Sequence, residues 1–289
     1  MHLPAMLAES LDFLTIQPDG VYVDATAGLG GHTRAIAERL TTGFVLANDR
    51  DSESLATARQ NTAGLEGRIR FHQGRFSELR MTLAAMEIAK VDGLLADLGV
   101  SRYQLTEPER GFSLAGEGPL DMRMDRSQGI PAGEIVNTWA EKALADLIYQ
   151  LGEERRSRRI SRAIVRARPL RSTRDLARVI EEAVPRTGRL HPATQTFMAL
   201  RLAVNEELEE LDRLLEIAPE MAANGGRIVV VTFMSLEDRK VKRSFQGLVR
   251  SGRACLLTRH VVRPTEDEVR ANAPSRSAKL RAVAITETN

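Results

Sequence analysis

Short runs of consecutive apolar residues alternate with amphipathic stretches through the first hundred residues. Gly20-Val21-Tyr22-Val23-Asp24 predicts a first strand, followed by a glycine-rich turn and a helix over 33–40. Phe44-Val45-Leu46-Ala47 predicts a second buried strand that ends at Asp49, with a helix near 54–61. Ile69-Arg70-Phe71-His72 predicts a weaker third strand, and Val91–Asp97 a fourth. Strands alternating with helices at this spacing predict a parallel sheet covered on both faces.

The pattern then stops. Residues 105–131 are dense in Gly, Pro and Asp and predict loops, and helices follow over 140–151, 153–168 and 173–183. The α/β pattern resumes with a long amphipathic helix over 194–215, a strand over 227–233, a helix over 237–249 and strands over 255–262 and 279–285. One α/β domain in two parts, 1–105 and 193–289, is therefore expected, interrupted by a helical insertion over 106–192.

Composition adds compartment and charge. Apolar residues make up 43% of the 289, enough to bury a core, so wholesale disorder is excluded. The single cysteine, Cys255, cannot form an internal disulfide, and no Cys or His spacing suggests a metal site. The first twenty residues lack the basic start and apolar core of a signal peptide, and no run approaches the roughly 20 apolar residues of a membrane helix. A soluble, cytoplasmic protein without a membrane partner is the expectation. The net charge is only +2, yet residues 151–190 hold twelve arginines and five acids. That asymmetry fits a polyanion footprint or a solvated helix face.

The candidate chemistry lies at strand ends. Asp24-Ala25-Thr26-Ala27-Gly28-Leu29-Gly30-Gly31-His32-Thr33 joins the first strand to the first helix. Glycines there let the backbone approach a ligand, and the helix N-terminus can donate amide hydrogens. A dinucleotide fingerprint would place glycine at 33, where threonine stands. The D-x-x-x-G-x-G form instead suits an S-adenosylmethionine site, with a tight structural turn as the plainer reading. Asp49, 21 residues after Gly28, can accept ribose hydroxyls of either cofactor. Its neighbours Arg50 and Asp51 read as a solvated turn. Phe76 fits an adenine-stacking ring or a core side chain equally, and His32 a cofactor donor, a cap or an exposed side chain. Asp97 ends the fourth strand, where open α/β sheets place ligands. Asp97-Leu98-Gly99-Val100 keeps the acid of the Asp/Asn-Pro-Pro-aromatic motif of exocyclic-amine methyltransferases and lacks the rest, with Tyr103 a substitute for the aromatic ring. An acid there can accept the hydrogens of a base amine and turn its lone pair toward a methyl group.

The whole set of motifs resembles the bacterial 16S ribosomal RNA cytosine-N4 methyltransferases, the RsmH or MraW family. The resemblance is carried by His2-Leu3-Pro4, Gly28–Thr33, Asp97–Ser101 with Gln104-Leu105, Pro108–Ser113 and Gly118–Asp125. Tyr149–Arg155, His191–Thr194, Ser235–Arg239 and Arg276–Arg281 complete it, covering the chain nearly end to end. It implies a Rossmann-like class I S-adenosylmethionine-dependent methyltransferase with a helical substrate-recognition domain inserted after the fourth strand. It also implies S-adenosylmethionine contacts at Gly30, Gly31, His32, Asp49, Phe76, Asp97 and Gln104. The implied target is a cytidine in the decoding region of 16S ribosomal RNA, met in the assembled small ribosomal subunit. Met234 stands where the family usually has histidine, Ser101-Arg102-Tyr103-Gln104 replaces Ser-Ser-Pro-Gln, and the segment after Gly247 is short.

Arg155, Arg159, Arg162 and Arg166 fall at helical spacing, opposite Ile160, Ile164 and Ala167, and could track an RNA backbone. Against that stands a general preference for arginine, 36 against five lysines. Asp121, Arg123 and Asp125 fall in a polar loop and either line the substrate cleft, the favoured reading, or lace the insertion to the core. Apart from the family match, a small-molecule N-methyltransferase and an RNA-binding protein with a vestigial pocket remain compatible; Thr33 disfavours an NAD enzyme. A monomer and a homodimer are equally compatible.

Overall fold

The structure, a computed structural model, describes residues 4–114, 116–186, 188 and 190–286. His2 and Leu3 of the N-terminal motif lie outside the described residues. Two compact units emerge, one formed by Met1–Gly99 with Leu208–Asn289 and the other by Val100–Glu207.

In the first unit α1 (Leu7–Leu14) precedes β1 (Val21–Asp24), α2 (Gly31–Ala37), β2 (Phe44–Asp49) and α3 (Ser52–Asn61). Then come β3 (Ile69–Gln73), α4 (Leu79–Ala85) and β4 (Val91–Asp97). The second unit holds α5 (Arg102–Thr106), α6 (Ala132–Thr138), α7 (Glu141–Gly152), α8 (Ser157–Ala167), α9 (Thr173–Ala183) and α10 (Thr194–Asn205). The chain returns to the first unit with α11 (Glu207–Met221), β5 (Ala222–Thr232), α12 (Ser235–Arg250), β6 (Ala254–Leu256), α13 (Glu266–Ala271) and β7 (Lys279–Ile285).

The seven strands lie in the order β3-β2-β1-β4-β5-β7-β6. All neighbours run parallel except β7, which is antiparallel to β5 and β6. This is the Rossmann-like α/β fold of class I methyltransferases. The buried runs have two destinations, as a pleat demands. Val23, Leu46, Leu94, Ala96 and Val230 pack with α4, α11 and α12, whereas Tyr22, Val45, Ala47, Leu95, Val229 and Val231 pack with α1 and α2. Successive strands are added outward from β1 in one direction and from β4 in the other. Their carboxyl ends therefore splay apart at the β1–β4 junction, which is where such sheets bind ligands. Among the described residues no helix is long and apolar enough to cross a membrane.

The second unit has its own core, with Leu144, Ile148, Ile160, Ile164, Leu176, Ile180 and Leu200 at its centre. Its limits are wider than the expected insertion over 106–192, because α10 packs on α7 and Val100 joins the same core. The helix expected over 194–215 is two helices, α10 and α11. Asn205 turns its carboxamide inward, donating to Met122 O at 2.7 Å and accepting from Met124 N at 2.8 Å. Glu206 then takes a left-handed conformation, φ +51°, and ends the first helix. The helix expected from 153 starts at 157, since Glu153 is left-handed and Glu154 is buried against Arg156. The strand expected over 255–262 is regular only to Leu256 and touches the sheet again at Val262.

Candidate functional site

Three aspartates mark the carboxyl ends of β1, β2 and β4. Asp24 is fully buried, accepting from Thr33 Oγ1 at 2.6 Å and Thr26 N at 3.2 Å, and burial pushes its carboxyl up to about 6. Thr33 thus takes the third-glycine place of a dinucleotide site because its hydroxyl serves Asp24. Asp49 accepts from Gly28 N at 2.8 Å and Asp51 N at 2.9 Å, which fixes its carboxylate against the glycine turn. Burial raises it to about 6 as well. Each oxygen has a second lone pair, so a ribose can still be accepted.

Asp97 is held differently. Its backbone N–H donates to Thr26 Oγ1 at 2.6 Å, and its Oδ2 lies 3.8 Å from His32 Nδ1. Among the described residues its Oδ1 is buried without a hydrogen-bond partner. Burial, with the fields of Asp24, Glu237 and Glu268, holds this carboxyl well above the ordinary value. The side chain as a whole keeps 21% of its surface, so the acid opens on one side.

The glycine turn is shaped by conformation and packing together. Gly28 and Gly30 have φ of +50° and +86°, which other residues adopt only with strain. A Cβ on Gly31 would meet the Pro4 ring at 3.0 Å, so the N-terminal segment sits on this turn. His32 is 3% exposed, at the start of α2. Phe76, in a 3-10 turn over Phe76–Glu78, is half-buried against the core on the face covered by α4, α11 and α12. Asp51 is not solvated as its polarity suggested; it is 1% exposed and caps α3 through Glu53 N and Ser54 N.

The remaining expected residues belong to the helical unit. Gln104 is buried, and its Oε1 accepts from Ser101 N in a reciprocal cap of α5, so the family-variant Ser-Arg-Tyr-Gln segment forms a helix start. Arg123 donates to both Asp121 oxygens, at 2.7 and 3.1 Å, and Asp125 accepts from Ser127 and Gln128. These bonds lie within residues 121–128. Arg155, Arg159, Arg162 and Arg166 are exposed, as is Arg158; Arg155 lies before α8 rather than on it, and Arg162 pairs with Glu141 at 3.4 Å. In the first unit Met234 starts α12, where Glu237 accepts from Phe233 N and Met234 N, both at 3.0 Å. Two of the family motifs meet in the bidentate Arg281–Asp238 pair, at 2.7 and 3.2 Å.

Thr26 is the participant that sequence reasoning missed. Its signal was present in the Asp24-x-Thr26 spacing at a strand end, since a hydroxyl two residues on can reach the next strand. Among the described residues no group of three or more His, Cys, Asp and Glu is arranged to hold a metal ion.

Comparison with known proteins fits this geometry. The model of the MraW methylase family matches residues 1–286. The ribosomal RNA small subunit methyltransferase H of Solibacter usitatus is 62% identical over 283 residues, 98% of this chain and 99% of that protein. Its namesake in Rippkaea orientalis is 47% identical, over 97% of this chain and 91% of that one; in Acidobacterium capsulatum the figures are 46%, 97% and 97%. A methylase on this fold takes its methyl group from S-adenosylmethionine, and the residues present suit that cofactor. Three acids disfavoured by burial and mutual repulsion complement a ligand carrying a sulfonium and an ammonium group, and an acceptor at the end of β2 stands ready for a ribose. On the sheet order, the acid-lined crevice and a match that runs almost from end to end, the chain belongs to the MraW methylase family.

Proposed function

We propose that this protein methylates the N4 amino group of a cytidine in the decoding region of 16S ribosomal RNA, acting on the assembled small subunit. The observation that carries this is Asp97 Oδ1, a buried acceptor at the carboxyl end of β4 without a partner among the described residues. The names of the relatives, ribosomal RNA small subunit methyltransferase H, support the RNA class.

S-adenosylmethionine supplies an electrophilic methyl group when bound. The chain's task is to make a poor nucleophile adequate, because the cytosine amine shares its lone pair with the ring. Asp97, anchored through its own N–H to Thr26, can accept one amine hydrogen and draw the lone pair out of conjugation. Its raised pKa makes it the better acceptor for the proton the amine sheds. Cofactor charge nearby favours the ionised form that this role needs. His32 Nδ1, 3.8 Å from Oδ2, adds a second polar group beside the carboxyl. Gly30, Gly31, Asp49 and Phe76 belong to the cofactor side of this reading, and Gln104 acts by starting α5. The helical unit is the substrate-recognition domain, and the arginines from 155 to 166 meet phosphates of the RNA. Methylation of one base requires it to leave its stack, which single-stranded ribosomal RNA makes easier.

The test is transfer of labelled methyl from S-adenosylmethionine to small subunits from cells lacking this gene, followed by nucleoside mass spectrometry. N4-methylcytidine is the expected product. Label in another nucleoside would overturn the N4 assignment, and label only in small molecules would overturn the RNA assignment.

A further inference from the structure

Asn48 is fully buried in β2, one residue before Asp49, and has no part in the chemistry described so far. Its Nδ2 donates to Ala25 O at 3.1 Å and Gly74 O at 3.2 Å. Those carbonyls lie at the end of β1 and in the turn after β3, so one amide group ties together three neighbouring strand ends. With both Nδ2 hydrogens committed to carbonyls, the carboxamide cannot be flipped, and Oδ1 is the acceptor. The group facing it is His72 Nδ1 at 2.9 Å, which therefore carries a hydrogen. The other ring nitrogen, Nε2, stands 3.2 Å from Thr82 Oγ1 on α4. Thr82 Oγ1 also donates to Glu78 O at 3.0 Å, so Asn48 is the firmer of the ring's two partners.

Backbone bonds extend the same knot. Ala27 N donates to Asn48 O at 2.8 Å, and Gly74 N donates to Asp49 O at 3.1 Å. A Cβ on Gly74 would lie 2.3 Å from His72 Cε1, so the turn closes directly over the ring. Two residues later comes Phe76. The knot thus joins the Asp24–Gly28 turn, the ribose-accepting Asp49 and the segment carrying Phe76.

We infer that Asn48 and His72 are positioning residues for S-adenosylmethionine, holding the ends of β1, β2 and β3 in the spacing that the adenosine half of the cofactor requires. The inference rests on the cofactor assignment and is independent of the RNA target. His72 presents a ring hydrogen to Asn48, and Asn48 converts that contact into the placement of Ala25 and Gly74. Loss of the hydrogen frees Asn48 Oδ1 and loosens the turn without touching the acids that meet cofactor charge.

Calorimetric titration of the full chain with S-adenosylmethionine and with S-adenosylhomocysteine separates the possibilities. His72→Leu fills the space and removes both ring nitrogens; it is expected to raise Kd about tenfold with stoichiometry near one. The loss should be equal for both ligands, because only one carries the sulfonium charge. His72→Asn places an amide hydrogen near the Nδ1 position and is expected to bind within about threefold of the parent protein, less than one lost hydrogen bond. Asn48→Leu should resemble His72→Leu. If His72→Leu binds with the parent Kd, or loses only stoichiometry, the side chain merely supports the fold and the inference falls. A loss confined to S-adenosylmethionine also overturns it, by placing the effect on charge. A parent protein that binds neither ligand would instead remove the cofactor assignment.

Discussion

Asp24→Asn removes a carboxyl that burial disfavours in its ionised form while keeping side-chain shape. The carboxyl titrates near 3.8 in the unfolded chain and at about 6 in the folded one. The folded state therefore holds its proton more tightly, and stability falls as pH rises from about 4 through about 6. Above that window the full penalty applies, two pKa units at 1.36 kcal/mol each, or about 3 kcal/mol. At pH 4.5 it has shrunk to about 1 kcal/mol. The amide carries no such penalty, but it gives up one acceptor toward Thr33 Oγ1 or Thr26 N, at about 1 kcal/mol. The variant should thus be more stable by about 2 kcal/mol at pH 8 and equal to the parent at pH 4.5. For a unit of about 180 residues this is a rise in Tm of roughly 4–8 °C at the higher pH only. Differential scanning calorimetry of the unliganded protein at both pH values reads it directly. A Tm difference that is the same at pH 4.5 and pH 8 would refute the reasoning, because the ionised acid would then carry no penalty. The same variant should bind S-adenosylmethionine more weakly, the exchange of stability for function common at such sites.

Asp97→Ala is expected to lower methyl transfer at least 100-fold while S-adenosylmethionine affinity changes far less; near-normal single-turnover rates would eliminate the amine-orienting role. Asp49→Ala should weaken cofactor binding about tenfold or more, since it removes the ribose acceptor and the anchor of Gly28 N; calorimetry that finds the parent Kd contradicts this. Replacing Arg158, Arg159 and Arg166 by Glu should weaken binding to small subunits and flatten its dependence on log salt by about 0.7 per lost phosphate contact, with cofactor affinity unchanged. An unaltered salt slope would mark these side chains as solvated surface. Glu87→Gly, at an exposed left-handed position (φ +60°) just past α4, should add about 1 kcal/mol in urea denaturation, and a loss would show that the glutamate is not strained.

What the sequence disclosed follows from how locally each feature is determined. The strands over 91–97 and 279–285 and the helix over 173–183 fall where expected, because apolar pattern and boundary residues lie in the same few positions. Helices α1, α4 and α13 passed unnoticed, being short, with little pattern to read. The break at Glu206 was beyond any local rule, since the groups that turn Asn205 inward are Met122 and Met124, more than 80 residues away in sequence. The strand-end placement of Asp24, Asp49 and Asp97 was legible because each acid closes an apolar run. Their differing states were not. Asp49 is satisfied by Gly28 and Asp51, whereas one oxygen of Asp97 has no partner among the described residues, a contrast set by loops and by Thr26. The pairing of Arg123 with Asp121 two residues before it was likewise not legible, since a charge read from sequence does not say which neighbour it faces.

The pairing of β4 with β5 has a consequence for synthesis. About 125 residues separate the end of β4 from the start of β5, and all of the helical unit lies between them. At about 5–20 residues per second, a ribosome needs roughly 6–25 s to deliver the missing neighbour. During that interval the Val91–Asp97 strand can lie against β1 on one side while its other edge offers unpaired backbone to any passing chain. The helical unit, continuous in sequence, can complete its core in the meantime. A nascent chain that has cleared the ribosome only as far as residues 208–221 therefore carries one finished body and one half-built sheet, and the latter is where a chaperone or an aggregate would take hold.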